Sequence, residues 1–206
     1  MRVNFKVESK RIHFFAELFR ENFSSQTINE AQKNLISVKK NWNNNIFFIE
    51  KVLGVFHEIN LRRGTTVSIF PNRFFLGAVE TKKQLVLYGQ PRRSKNFSSA
   101  LIVHELSHIF LSRIKIPHNE IINEIICFLL ENQIYLLTEG KKLKNIWHPN
   151  ELDSFHREAL RIAIECFGNF EIEKMDVKKF IFYLQKKINK RILSIKPPRG
   201  LIRSLV

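Results

Sequence analysis

The chain has 206 residues, of which 44% are hydrophobic and 26% are charged, values that are typical of a globular protein and exclude a disordered one. Its 34 Lys and Arg against 19 Asp and Glu give a formal net charge of +15 at pH 7. Such a charge suits nucleic acid, an anionic membrane surface or an acidic protein as a partner, but the basic residues are spread along the chain and identify none of them.

The cysteine count and the hydropathy exclude two further classes. Cys127 and Cys166 lie in apolar segments and form neither a disulfide framework nor a CxxC metal site, so each is expected to behave as a small hydrophobic residue. No run approaches the roughly 18 apolar residues that span a bilayer, and the first residues lack the apolar stretch of a signal peptide. We therefore expect a cytoplasmic protein without a transmembrane segment.

The first part of the chain is predicted to be helical. Apolar residues recur at spacings of three and four over residues 8–23 and again over 45–59. Between them, the polar segment Ser24–Thr27 can cap a helix over 27–40. Residues 1–60 are thus expected to form a helical N-terminal part.

A small group of strands is predicted next, followed by helices. Segments 65–70, 74–79 and 84–88 are short, rich in β-branched, aromatic or aliphatic residues, and separated by turn signals. Four helices are predicted after them, over about 98–113, 119–138, 151–167 and 175–193. Helices, a small strand meander and then helices again predict an α+β fold.

The first of these later helices contains the sequence His104-Glu105-Leu106-Ser107-His108, an HExxH motif. Residues four apart lie on one helix face with Cβ atoms about 5–6 Å apart, so both histidines can direct a ring nitrogen at one Zn²⁺. Glu105 is turned away from the ligands but can reach a metal-activated water and take its proton. The alternative is a pair of histidines held by other partners in the core.

A catalytic zinc needs a third protein ligand, and two glutamates of the next helix are candidates. Glu120 falls in the first turn, where the helix dipole already stabilises a carboxylate. Glu124 stands among apolar residues, and a buried carboxylate is costly unless it is paired or bound to metal. We therefore predict that Glu124, rather than Glu120, is the third ligand, the alternative being a Glu124 paired with a Lys or Arg. Glu120, one turn earlier on the same face, could then orient a histidine.

The motif, followed fifteen residues after His108 by Asn123-Glu124, resembles the gluzincin metallopeptidases, and especially their minimal, peptidase-MA-like members. The resemblance implies that His104, His108 and Glu124 bind Zn²⁺. It also implies that Glu105 is the catalytic acid and base.

The resemblance covers about residues 65–137, which would form a zincin-like core within one domain of residues 1–206. It leaves out residues 1–60 and the helical C-terminal part, 138–206. The chain also departs from the family pattern at Ile125, where Gly is usual.

In that family the strand before the motif helix forms the rim of the cleft and pairs with extended substrate. Here this would be the segment 84–88, which we predict to be an edge strand that offers its backbone to a peptide. Leu85 and Leu87 would share one face of this strand, and Val86 and Tyr88 the other.

Hydrolysis of a peptide bond also needs a donor for the oxyanion. Tyr135, about three turns after Glu124 on the same helix face, is our candidate for this catalytic role. His148 and His156 are alternatives, since they lie in or near a loop that could return over the cleft. The sequence does not choose among the three.

Together these features predict a zinc-dependent metallopeptidase that hydrolyses peptide bonds of a specific protein or peptide substrate. An alternative is a nucleic-acid-associated regulatory protein that retains the zincin scaffold, which the charge of +15 would suit. No helix-turn-helix or RNA-binding motif is recognisable in support of it. An inactive metal-binding domain would have no need of the base Glu105.

Overall fold

The computed structural model describes most of the chain. The described residues are 2–18, 20, 22–57, 59, 64–71, 77–89, 96–116, 119–141, 147, 152–167 and 176–196. In chain order, their helices and strands are β1 (Val3–Lys6), α1 (Ser9–Leu18), α2 (Ser25–Leu53), β2 (Thr65–Ile69), β3 (Gly77–Glu80), β4 (Leu85–Tyr88), α3 (Phe97–Leu111), α4 (Glu120–Glu139), α5 (Ser154–Phe167), α6 (Val177–Lys187) and α7 (Lys190–Leu193). Helices thus surround a small sheet, and the predicted α+β class is confirmed.

Helix α2 is continuous over 29 residues, where the sequence predicted two helices over 27–40 and 45–59. It begins with a capping box, in which the Thr27 amide donates to Ser24 Oγ and the Ser24 amide donates to Thr27 Oγ1. The prediction of a break was wrong because the intervening asparagines, which are poor helix formers, are used for packing.

Two of those asparagines are buried and join α2 to the start of α3. Asn45 Nδ2 donates to Asn96 Oδ1 at 2.8 Å and to Ser99 Oγ at 3.3 Å, and Asn41 Nδ2 donates to Ser98 Oγ at 3.3 Å. These bonds satisfy polar groups that would be costly to bury alone. Tertiary contacts therefore override the low helix propensity of this segment.

The sheet is mixed, with strand order β1-β2-β4-β3. β1 pairs with β2 and β2 with β4 in parallel, whereas β3 pairs with β4 in the antiparallel direction. Strand β1 was not predicted, and its parallel pairing with β2 means that the sheet is not a meander. The outer strands are β1 and β3.

The prediction that segment 84–88 is an edge strand was wrong. Leu85 is in register with Thr66 of β2 on one side and with Glu80 of β3 on the other, so β4 is a central strand. All four of its residues are buried, as expected for a strand that is covered on both faces and paired along both edges. The residues of β4 are all apolar instead of alternating between apolar and polar, and a strand that is apolar on both faces is stabilised by a central, buried position.

The predicted faces of β4 are confirmed. Leu85 and Leu87 pack with Ile12 and Phe15 of α1 in a small hydrophobic cluster. Val86 and Tyr88 belong instead to the larger cluster that includes α2, α3 and α4. The sheet therefore separates a thin layer formed by α1 from the main core, in which the motif helix lies.

Helix α3 is the most buried helix of the described part of the chain, and every one of its residues except His108 is buried. It packs against α4, α2 and β3, while α4 packs in turn against α5. Gly140, with a φ of 64°, ends α4 in the left-handed conformation that favours glycine. The α3–α4 pair forms the centre of the molecule.

The apolar length of α4 differs from the sequence-based expectation. By length and composition, Glu120–Glu139 is apolar enough to cross a membrane, although 72% of its most apolar window is buried inside the protein. A buried core helix passes the same test, so the finding is weak evidence for a membrane span.

Candidate metal centre

The packing of α3 against α4 brings two sets of metal-binding side chains together. His104 and His108 are four residues apart on α3, so their rings project from one face. Glu124, Cys127 and Glu131 are spaced by three and four residues along α4 and share one face of that helix. These two faces meet in the core.

Glu124 lies against both histidines of the motif. Its Oε1 is 3.0 Å from His104 Nε2, and its Oε2 is 3.4 Å from His108 Nε2. Tetrahedral zinc with nitrogen and oxygen ligands at about 2.0–2.1 Å holds those ligands about 3.3–3.4 Å apart. Both oxygen–nitrogen separations are thus close to those between two ligands of one zinc ion, with each histidine facing a different oxygen of Glu124. Glu120, the other candidate, is exposed at the first turn of α4.

The charges of these groups are strongly coupled. Burial by itself would raise the pKa of Glu124, but His104 and His108 outweigh it and lower that pKa to about 2. Burial would likewise lower the pKa of His104, yet Glu124 and Glu131 raise it well above its usual value. The site thus requires a positive charge between its carboxylates, which a proton on His104 or a metal ion can supply.

Glu131 contacts His104 in this cluster, and the sequence analysis did not consider it. It is completely buried, with 0% exposure, and its Oε2 accepts a hydrogen bond of 3.0 Å from His104 Nδ1. Its other oxygen accepts a 2.9 Å bond from Trp147 Nε1. A carboxylate on Nδ1 fixes the ring orientation and leaves Nε2 for a metal. The signal in the sequence was its place two turns after Glu124, on the same face.

Cys127 also belongs to this cluster. His104, His108 and Cys127 each have a ligand atom that lies within 4.8 Å of the ligand atoms of the other two. This group could hold a metal ion. The thiol is fully buried in the hydrophobic core, as its apolar sequence context suggested. Burial raises the pKa of this thiol well above its usual value, and the carboxylates of Glu124, Glu105 and Glu131 raise it further.

Glu105 is buried beside the two histidines. Burial is the main cause that raises its pKa to about 7, with Glu124 and Glu131 adding to the effect and His104 opposing it. A carboxyl group whose pKa is close to neutral can accept and return a proton near physiological pH.

The three candidates for the oxyanion donor have different surroundings. Tyr135 has 0% exposure and lies in the main hydrophobic cluster. His148 lies outside the described residues. The side chain of His156 is 35% exposed, and its Nε2 is 3.9 Å from Glu124 Oε1. Of the described candidates, His156 is therefore the one beside the metal ligands that solvent reaches.

His156 is held in place by the start of α5. Its Nδ1 donates a 2.5 Å hydrogen bond to Asp153 Oδ2. The other oxygen of Asp153 accepts from the backbone amides of Phe155 and His156 at 2.9 and 3.0 Å, which caps the helix. One aspartate thus both starts α5 and orients the histidine.

No protein-family model, curated protein or solved structure matches this chain. The functional argument is therefore carried by the geometry and chemistry of the site.

The assignment of Glu124 can be tested by metal content. We expect Glu124→Gln to leave the purified protein nearly without zinc, because a neutral amide is a poor ligand and removes one of the two carboxylates that contact His104. Glu120→Gln, an exposed change on the same helix, should bind as much zinc as the wild type, for which we expect about one ion per chain. Elemental analysis after dialysis measures both, and an empty Glu120→Gln beside a full Glu124→Gln would reverse the assignment.

The role of Glu131 predicts a smaller effect. Glu131→Gln can still accept the His104 hydrogen bond but removes the charge, so zinc affinity should fall by about 10–100-fold while the protein stays folded. Competition with a chromophoric chelator measures the affinity, and circular dichroism checks the fold. Glu120→Gln again serves as the control, and an unchanged affinity in Glu131→Gln would argue against a role for this carboxylate.

Proposed function

We propose that this protein is a zinc-dependent metallopeptidase with a zincin-like core that cleaves a protein or peptide substrate. The observation that carries the proposal is the meeting of His104 Nε2, His108 Nε2 and the Glu124 carboxylate at 3.0 and 3.4 Å. Glu105, a buried carboxyl group with a pKa of about 7, lies next to them. A set of two imidazoles and one carboxylate with a neighbouring base is suited to hydrolysis.

The donor atoms favour zinc over other common ions. Two ring nitrogens and a carboxylate oxygen form the ligand set of catalytic zinc sites, whereas Ca²⁺ and Mg²⁺ prefer oxygen ligands alone. Bound to these residues, Zn²⁺ would supply the Lewis acidity that lowers the pKa of a water and polarises a substrate carbonyl.

Glu105 has the role of general base and acid in this proposal. Its carboxylate accepts a proton from the attacking water and later returns it to the departing amine. A pKa of about 7 suits both transfers, since at neutral pH the carboxyl group can be found in both its ionised and its protonated form. Burial by the apolar residues of α3 produces this property.

His156 is the proposed donor to the oxyanion, in place of Tyr135. The contact of Nδ1 with Asp153 directs Nε2 towards Glu124, 3.9 Å from its Oε1. The proposed role uses the imidazolium form, in which Nδ1 donates to Asp153 and Nε2 also carries a proton to donate. A donor placed there can stabilise negative charge that develops on the carbonyl oxygen. Tyr135, which has no exposed surface, would have to leave the core to do so.

The substrate would bind along β3 instead of β4. Strand β3 is antiparallel to β4 and has no other strand partner among the described residues, and α3 packs against it. A free strand edge beside the motif helix can pair with an extended peptide and bring its carbonyl group towards the site.

The surface of α6 favours the second candidate, a nucleic-acid-associated regulator. Exposed lysines on this helix flank two exposed aromatic residues, Phe182 and Tyr183, and Lys187 Nζ is 5.8 Å from the Tyr183 ring centroid. The exposed lysines are Lys178, Lys179, Lys186 and Lys187. Proteins that bind single-stranded nucleic acid typically use lysines to contact the phosphates and aromatic rings to stack on the bases.

Glu105→Gln tests the proposed peptidase. The amide keeps the size of the side chain but cannot accept a proton, so cleavage of a peptide library should fall by about 10²–10⁴-fold. Zinc content should stay at about one per chain, because Glu105 is not a ligand. Mass spectrometry of the cleaved peptides measures the rates, and equal rates in the variant and the wild type would rule out this mechanism. The variant leaves the surface of α6 unchanged, so any binding of nucleic acid should persist.

The proposed role of His156 predicts a loss in kcat with little change in KM. His156→Gln removes the imidazole but none of the proposed metal ligands, so kcat should fall by about 10²–10³-fold at constant zinc content. The exposed His13 provides a matched control, since His13→Gln should have wild-type kinetics. A comparable loss in Tyr135→Phe, with His156→Gln unaffected, would instead assign the role to Tyr135.

A further inference from the structure

Cys127 is placed where a fourth ligand of the metal would be. It follows Glu124 by three residues, so both side chains project from α4 towards His104 and His108. The ligand atoms of the two histidines and Cys127 all lie within 4.8 Å of one another. Cys127 and the two histidines therefore form one cluster, and Glu124 contacts both histidines of that cluster.

Those separations are close to what coordination requires. Zinc binds sulfur at about 2.3 Å and nitrogen at about 2.0–2.1 Å, which places the two ligand atoms about 3.5 Å apart in a tetrahedral site. The bound of 4.8 Å exceeds that separation by at most about 1.3 Å, a shift that binding of the ion would have to supply.

A fourth protein ligand changes the character of the site. Structural zinc sites are closed by four protein ligands, whereas catalytic sites keep one position for water. A thiolate also shifts the preference towards thiophilic ions such as Zn²⁺ and Co²⁺ and away from Mg²⁺ and Ca²⁺. Cys127 and the catalytic water would then compete for the same position.

We propose that Cys127 is a fourth ligand and that the metal-loaded protein rests in a closed state held by His104, His108, Glu124 and Cys127. The inference rests on the proposed metal centre and adds to it a latent form. Water enters, and the peptidase becomes competent, only when the thiolate gives up its position. Glu131 keeps His104 in place in both forms, because its contact is to the other ring nitrogen.

Cobalt spectroscopy tests this proposal without any substrate. A thiolate bound to Co²⁺ produces an intense charge-transfer absorption in the near ultraviolet, which nitrogen and oxygen ligands do not. We expect this band in the Co²⁺-loaded wild type at one equivalent. It should persist in Cys166→Ser, which replaces the other cysteine of the chain.

In Cys127→Ser the charge-transfer band should disappear, while the weaker visible bands of bound Co²⁺ remain and affinity falls at least about tenfold. If that variant does not fold, the wild-type and Cys166→Ser spectra still decide the question. Stoichiometric Co²⁺ without the band in the wild type would overturn the closed state and leave the peptidase proposal intact. Failure of the wild type to bind Co²⁺ or Zn²⁺ at all would overturn both.

Discussion

Three carboxylates are buried between apolar helices in this protein, and the rest of the site depends on how their charge is compensated. Glu105, Glu124 and Glu131 all lie within or against the α3–α4 contact. Burying a carboxylate without a partner costs several kcal/mol, so the packing is stable only if cationic or donor groups meet each one. His104 meets two of them, with one ring nitrogen on Glu124 and the other on Glu131. The packing of the core thus brings these carboxylates to a buried histidine, and the proposed affinity for a metal ion follows from the same arrangement.

Helix α4 connects the different parts of the site. It packs on α3, which carries the motif, and on α5, whose first turn carries Asp153 and His156. A shift of α4 would move Glu124 and Glu131 together, and would change the 3.9 Å separation between His156 and Glu124 as well. A buried helix with contacts on two sides resists such a shift. We therefore expect the site to be rigid around His104 and Glu124, and among its described residues His108 and His156 are partly exposed.

The parts of this arrangement that were predictable are local ones. The spacing of His104 and His108 and the apolar surroundings of Glu124 follow from helix periodicity, so those residues could be found without the structure. Glu131 was missed although its spacing from Glu124 places it on the same helix face, and Cys127 was interpreted only as a small hydrophobic residue, because the sequence does not show which side chains each of them meets. The position of β4 was predicted wrongly because it depends on tertiary pairing, with β2 on one side and β3 on the other, which local sequence patterns do not reveal. Similarly, the buried bonds of Asn45 that keep α2 continuous reach Asn96 and Ser99, far along the chain.

The parallel pairing of β1 with β2 has a consequence for how the protein is made. Val3 is in register with Thr65, so β1 leaves the ribosome long before its partner exists. At a synthesis rate of about 5–20 residues per second, it waits for several seconds, while α2, already complete, can form from local interactions. Strand β4 arrives later still and must enter between β2 and β3. During that interval the apolar strands are exposed to chaperones, and a nascent chain stalled before Tyr88 would lack the central strand of its sheet.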